Sequence, residues 1–179
     1  ILLCSDNGPD RGAGISMGMR GRKTTLYEGG IRSPLVVWGP GFLAKEAQGS
    51  RNTDSLFSAI DLVPSFLELC EAKPDKNHKL DGEVVTSTLL GKETKSRSAP
   101  LFFNRPPDRK NFQEMKNLPD LAMRMDKWKL LCNYDGSQVQ LYDMENDPGE
   151  SNNLAEAHPE ICQKMTASVT SWYAKLSQK

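Results

Sequence analysis

Ile1-Leu2-Leu3-Cys4 is a continuous apolar run, the pattern of a strand buried on both faces of a parallel sheet. From about residue 5 to residue 30 that pattern gives way to a long glycine-containing loop segment, and such loops are more often functional than idle. Leu35-Val36-Val37-Trp38 predicts a second buried strand, closed by Gly39-Pro40-Gly41. Asp61 is placed to N-cap a helix running through Leu69, with Pro64 tolerated in its first turn. Leu62, Val63, Phe66, Leu67 and Leu69 are its expected buried face. The polar stretch Glu71 to Lys79 reads as a surface connection.

After residue 95 the rhythm changes. Leu101-Phe102-Phe103 predicts a short strand and Arg105 to Pro119 a proline-containing polar loop. Leu121 to Met125, Trp128 to Asn133 and Val139 to Met144 predict strands joined by turns at Asp126-Lys127 and Asp135-Gly136, an antiparallel meander. Asp147-Pro148-Gly149 turns the chain toward a last helix. Pro159 suits its first turn, and Ile161, Met165, Val169, Trp172 and Leu176 recur at helical spacing. That stripe is expected to pack on the meander. The division is therefore an α/β part over 1–95 and an α+β part over 96–179. An opening inside a strand, with no initiator Met or signal sequence, is expected of a piece of a larger protein.

Composition narrows the choices. Lys+Arg and Asp+Glu both number 23, so no basic excess points to nucleic acid. No apolar run approaches the ~20 residues that span a bilayer. Cys4, Cys70, Cys132 and Cys162 lack Cys-x-x-Cys spacing, and His78 and His158 lie far apart, so no zinc site is expected. The disulfide state and the compartment stay open.

The chemistry concentrates near the start. Asp6 and Asn7, in Ser5-Asp6-Asn7-Gly8, follow the first strand, where open α/β sheets place ligands. Their oxygens are hard donors suited to calcium or magnesium. The same tetrapeptide is also good turn chemistry. Arg11, Arg20, Arg22 and Lys23 follow with no acid among them beyond Arg11, a solvated basic loop or one that delivers a cation to an anion. A nucleotide P-loop is excluded, because Arg22 stands where its second Gly belongs. A dinucleotide fingerprint fails because Met17 stands where the next Gly belongs.

Ser5-Asp6-Asn7-Gly8 followed by Gly21-Arg22-Lys23-Thr24-Thr25-Leu26-Tyr27-Glu28-Gly29-Gly30-Ile31-Arg32 resembles the second half of a type I sulfatase of the arylsulfatase and N-acetylgalactosamine-6-sulfatase kind. Later segments match that family in order. They are Leu56 to Leu69, Leu80-Asp81-Gly82 with Leu89-Leu90-Gly91, and Ala122-Met123-Arg124 with Lys127-Trp128-Lys129-Leu130. Leu141-Tyr142-Asp143 with Asn146-Asp147-Pro148-Gly149-Glu150 and Asn153-Leu154-Ala155 completes the series. The resemblance implies an alkaline-phosphatase-like α/β fold, of which this chain holds the last part of a large mixed sheet and a small antiparallel subdomain with a terminal helix. It implies Asp6 and Asn7 as ligands of Ca2+ in preference to Mg2+, and Lys23 as a contact to sulfate. It places the nucleophile, a formylglycine made within Cys-x-Pro-Ser-Arg, in an N-terminal part of the same protein, since no cysteine here has that context. The isolated chain is accordingly expected to be inactive, and to expose an apolar patch where strands 1–4 and 35–38 lack cover.

The resemblance further implies a sulfated small molecule or glycan as partner, with a carbohydrate sulfate favoured, and a periplasmic, lysosomal or secreted setting. Many members bring a substrate-side His from the C-terminal subdomain. Phe102 to Arg109 has none and offers Asn104 and Arg105 as substrate-binding candidates. Two alternatives stay open, a phosphoesterase or phosphonate hydrolase of the same superfamily and an inactive relative that binds sulfated glycans.

Overall fold

The structure is a computed structural model and describes residues 1–105 and 117–176. The expected loop at 105–119 therefore falls mostly outside the described residues. Contacts divide the chain into two compact units, one of Ile1–Cys4 with Leu35–Ala99 and one of Ser5–Pro34 with Pro100–Lys179. This grouping cuts across the 1–95 and 96–179 division. Residues 5–34 pack with the C-terminal strands because Leu26 and Tyr27 cover one face of their sheet.

In the first unit, β1 (Leu2–Cys4) pairs with β2 (Leu35–Val37) in antiparallel register, Leu2 opposite Val37 and Cys4 opposite Leu35. The sequence pattern had pointed to a buried parallel strand. A parallel pair needs a crossover of a dozen or more residues, usually a helix. The segment between these strands holds one helical turn, α1 (Glu28–Ile31), and packs in the other unit. Nor are the strands buried: Ile1 is 82% exposed, Leu3 67%, Val36 56% and Trp38 57%, an open apolar stripe.

Helix α2 (Leu62–Leu69) departs from its expected face, burying Pro64 and Ser65 while Val63 and Phe66 stay exposed. The cause is a polar core beneath it. Asp61 is fully buried, and its carboxylate accepts from the Ser58 and Glu83 amides, each at 2.8 Å. The buried Arg97 guanidinium donates to both Asp61 oxygens, at 2.7 and 2.9 Å. Ser65 Oγ donates to Asp61 O and accepts from the Val85 amide, just ahead of α3 (Thr86–Leu89). Asp61 thus serves the turn before α2 and is not a side-chain cap of the helix itself.

The second unit is the meander. β3 (Leu101–Asn104), β4 (Leu121–Met125), β5 (Trp128–Cys132) and β6 (Gln140–Asp143) form a four-stranded antiparallel sheet in sequence order. Alternation gives it two apolar faces. Leu121, Met123, Leu130, Cys132 and Leu141 pack on Cys162, Met165 and Val169 of α4 (Pro159–Leu176). Phe102 stacks on Trp172 at 5.2 Å, while Leu176 remains exposed. Ala122, Leu131 and Tyr142 on the opposite face receive Leu26 and Tyr27. Cys4, Cys70, Cys132 and Cys162 are all free thiols, and burial pushes the Cys132 thiol up to about 11.

At the sheet edge, Lys127 Nζ donates to Asp143 Oδ2 at 2.9 Å. This bond, with help from Asn146 and the amide of Glu145, holds the Asp143 carboxyl down at about 2. A depressed carboxyl contributes stability that is complete above its unfolded value and lost as pH falls through the folded one. Asp143→Asn should therefore melt below wild type at pH 7. Thermal scans should show that gap closing between about pH 4 and pH 2.

Candidate active site

Ser5 to Gly8 form a turn fastened by backbone geometry. Ser5 Oγ donates to Asn7 O at 2.8 Å, and Asn7 Nδ2 donates to Gly8 O at 2.9 Å. The second bond engages the amide nitrogen and leaves Asn7 Oδ1 as an acceptor. The Gly8 amide donates to Gly30 O at 2.9 Å. A Cβ at Gly8 would collide with Gly29 O, so only glycine lets the turn reach α1.

Lys23 lies on the same framework. Its amide donates to Pro9 O at 3.0 Å, and its ammonium lies 4.0 Å from Asp10 Oδ2. The side chain is half-exposed and Asp10 more so, so water screens this ion pair and it contributes little to stability. Beside it is an open hollow of about 400 Å³ lined by Pro9, Asp10, Arg11, Ser16 and Arg22 among others. The structure thus ties Asp6, Asn7 and Lys23 to one hydrogen-bonded segment.

A divalent cation fits the donor types, since Asp6 offers a carboxylate and Asn7 Oδ1 a neutral oxygen. Two residues do not make a shell of six to eight oxygens. Among the described residues no group of three or more His, Cys, Asp or Glu side chains could hold a metal.

The two substrate-side candidates separate. Asn104 ends β3 and is exposed. Arg105 is turned inward, 9% exposed, with its guanidinium 3.6 Å from Asp120 Oδ1. Its amide donates to Asp120 O and its carbonyl accepts from Tyr134 Oη, both at 2.7 Å.

A buried charge cluster in the second unit went unrecognised in the sequence. Lys129 is fully buried on β5, its ammonium 3.0 Å from Glu28 Oε1 and 2.8 Å from Glu150 Oε1. Glu150 Oε2 accepts the Glu28 amide at 2.7 Å. Burial raises the Glu150 carboxyl, with Lys129 pulling the other way. Above them Arg20 donates to Tyr142 Oη at 2.7 Å and lies 4.0 Å over the Tyr27 ring. Tyr27 and Tyr142 hydroxyls both donate to Gln140 Oε1. Glu28 and Glu150 are 122 positions apart, so no local spacing exposes the cluster. The sole clue was polar Lys129 at an inward position of a strand.

The family described as N-sulphoglucosamine sulphohydrolase, C-terminal, matches residues 21–177. The chain belongs to the sulfatase family. Human arylsulfatase A is 31% identical over 195 residues, covering 92% of this chain and 36% of its own length. The N-acetylgalactosamine-6-O-sulfatase of Bacteroides thetaiotaomicron is 28% identical, covering 93% of this chain and 34% of its own. A crystal structure of Ps i-CgsB in complex with k-i-k-neocarrahexaose is similar at 27% identity and a TM-score of 0.78, over 96% of this chain and 36% of that one. The fold is alkaline-phosphatase-like, as in the sulfatase structures it matches. The sulfatase chain spans about a third of the length of these relatives.

Proposed function

We propose that this chain is the C-terminal part of a calcium-dependent sulfuric ester hydrolase acting on a carbohydrate sulfate. The observation that carries the reading is the shared framework of the two motifs. Gly8 is bonded to Gly30 and Lys23 to Pro9, so hard oxygen donors and an ammonium are held on one segment. Asp6 and Asn7 would hold the cation together with ligands from an N-terminal part, which also supplies the formylglycine. When bound, the cation would supply Lewis-acid charge to the sulfate oxygens. Lys23 would face the same anion and stabilise charge as the S–O bond breaks. Preorganised charge of this kind is the largest single contribution in many hydrolases.

On the substrate side we place Asn104 in contact with the sugar and Arg105 behind it, holding the end of β3 through Asp120. The carbohydrate preference draws on the amino-sugar sulfatase and the oligosaccharide complex among the relatives. The same chemistry would serve phosphate, so the test compares the two esters. The protein that contains this chain with its N-terminal part should release sulfate from a sulfated amino sugar, and calcium removal should stop it. The chain alone should release none, because catalytic groups acting as a unit do not contribute in proportion. A preference for the phosphate ester, or turnover by the chain alone, would overturn the proposal.

A further inference from the structure

The Lys129, Glu28 and Glu150 cluster takes no part in the chemistry just proposed, yet it is the most deeply buried charge in its unit. Lys129 faces Arg124 on β4 and Tyr142 on β6 across the sheet. It reaches out from that sheet to Glu28, at the start of α1, and to Glu150, in the turn after β6. Glu150 has a φ of +55°, a left-handed conformation uncommon for a residue other than Gly, Asn or Asp. Its Oε2 accepts the Glu28 amide, while its Oε1 has no hydrogen-bond donor and is met only by the charge of Lys129 at 2.8 Å.

From Glu28 a chain of backbone hydrogen bonds leads to the candidate site. The Gly29 amide donates to Arg20 O at 2.7 Å, Thr25 to Arg22 O at 3.0 Å and Gly8 to Gly30 O at 2.9 Å. Lys23 lies between Arg22 and Thr25 on that network. Leu26 and Tyr27 already give the segment an apolar seat on the sheet. Apolar burial is non-directional and tolerates sliding. A buried ion pair adds little net stability over an apolar replacement, and its best-attested use is to fix register. The hydrogen bonds from Lys129 to Glu28 and from the Glu28 amide to Glu150 are directional where the apolar seat is not.

We propose that Lys129, Glu28 and Glu150 are positioning residues that set the register of residues 20–31 on the sheet, and through it the placement of Lys23 and of the Asp6-Asn7 turn. The proposal rests on the sulfatase reading for its catalytic consequence but not for its structural one. The cluster acts through Lys23 and touches neither metal nor substrate.

The test uses the whole protein that contains this chain. Lys129→Met leaves two buried carboxylates without their ammonium. A triple variant, Lys129→Met with Glu28→Gln and Glu150→Gln, removes all three charges and keeps side-chain volume, so it serves even if the single variant does not fold. Lys127→Met, which breaks the edge pair with Asp143, is the control for general loosening of the sheet.

Hydrogen exchange in the triple variant should accelerate about tenfold or more at the Thr25, Gly29 and Gly30 amides, with Met123 and Leu130 unchanged. With a sulfate ester, kcat should fall about tenfold or more with KM within about threefold, the effect of a misplaced catalytic group. Lys127→Met should change neither. Wild-type exchange in residues 20–31, or uniform acceleration that includes the strands, would overturn the proposal. So would faster loop exchange with wild-type kcat, since register would then not matter to Lys23. If Lys23→Ala proves fully active, the assignment of Lys23 to the chemistry fails, and the exchange result still decides whether the cluster sets register.

Discussion

Lys23→Ala, in the protein that carries this chain together with its N-terminal part, should lower kcat about 10²-fold or more. That is the loss expected when one preorganised charge stabiliser is removed. The melting temperature should stay near wild type. Lys23 is half-exposed and its ion pair with Asp10 is long and solvated. Its backbone amide, which donates to Pro9 O, survives the substitution. The contrast between a large kinetic effect and a small thermal one marks a side chain kept for chemistry. Turnover near wild type would remove Lys23 from the mechanism and return the loop to a solvated basic segment.

Asp6→Ala should lose bound calcium and activity together. A hard cation that needs six to eight oxygens tolerates poorly the loss of a carboxylate. Folding should be nearly unaffected, because the exposed Asp6 side chain is not what fastens the turn. That work is done by Ser5 Oγ on Asn7 O and by the Gly8 amide on Gly30 O. Elemental analysis of the purified variant is the direct measurement. Calcium content equal to wild type would refute the ligand role and leave Asp6-Asn7 as turn chemistry alone.

The parts of the structure legible in the sequence are those whose partners are near in the chain. β4 is found at the expected Leu121–Met125, and β5 and β6 fall within a residue of expectation, because alternation and the turn residues at Asp126 and Gly136 act locally. The last helix begins at Pro159, as its position required. Asp6, Asn7 and Lys23 stand out in the sequence by residue type and order, and the structure adds that one hydrogen-bonded segment carries them. What was hidden depends on distant groups. Val63 and Phe66 have the spacing of a buried face, but α2 turns instead toward Asp61, whose partner Arg97 is 36 positions away. The direction of β1 depends on where β2 returns, 31 residues later. Arg105 stands in the sequence as a substrate-side candidate at the start of a polar loop, and no local pattern discloses its pairing with Asp120. Lys129 looked like one more strand lysine, and only the fold brings it to two glutamates.

The seating of residues 20–31 also has a consequence for how the protein is made. Glu28 leaves the ribosome well before Glu150, its partner 122 positions on, and residues 35–99 come between as a separate unit. At roughly 5–20 residues per second, the interval is on the order of ten seconds. Throughout it the sheet face that receives Leu26 and Tyr27 does not yet exist. The first unit can gather its own contacts meanwhile, while the segment bearing Asp6, Asn7 and Lys23 waits unsupported. Contacts of such long range are the slow ones to form. A premature stop between Lys23 and Leu121 would therefore yield a chain with Asp6, Asn7 and Lys23 translated and the sheet face that seats their segment missing.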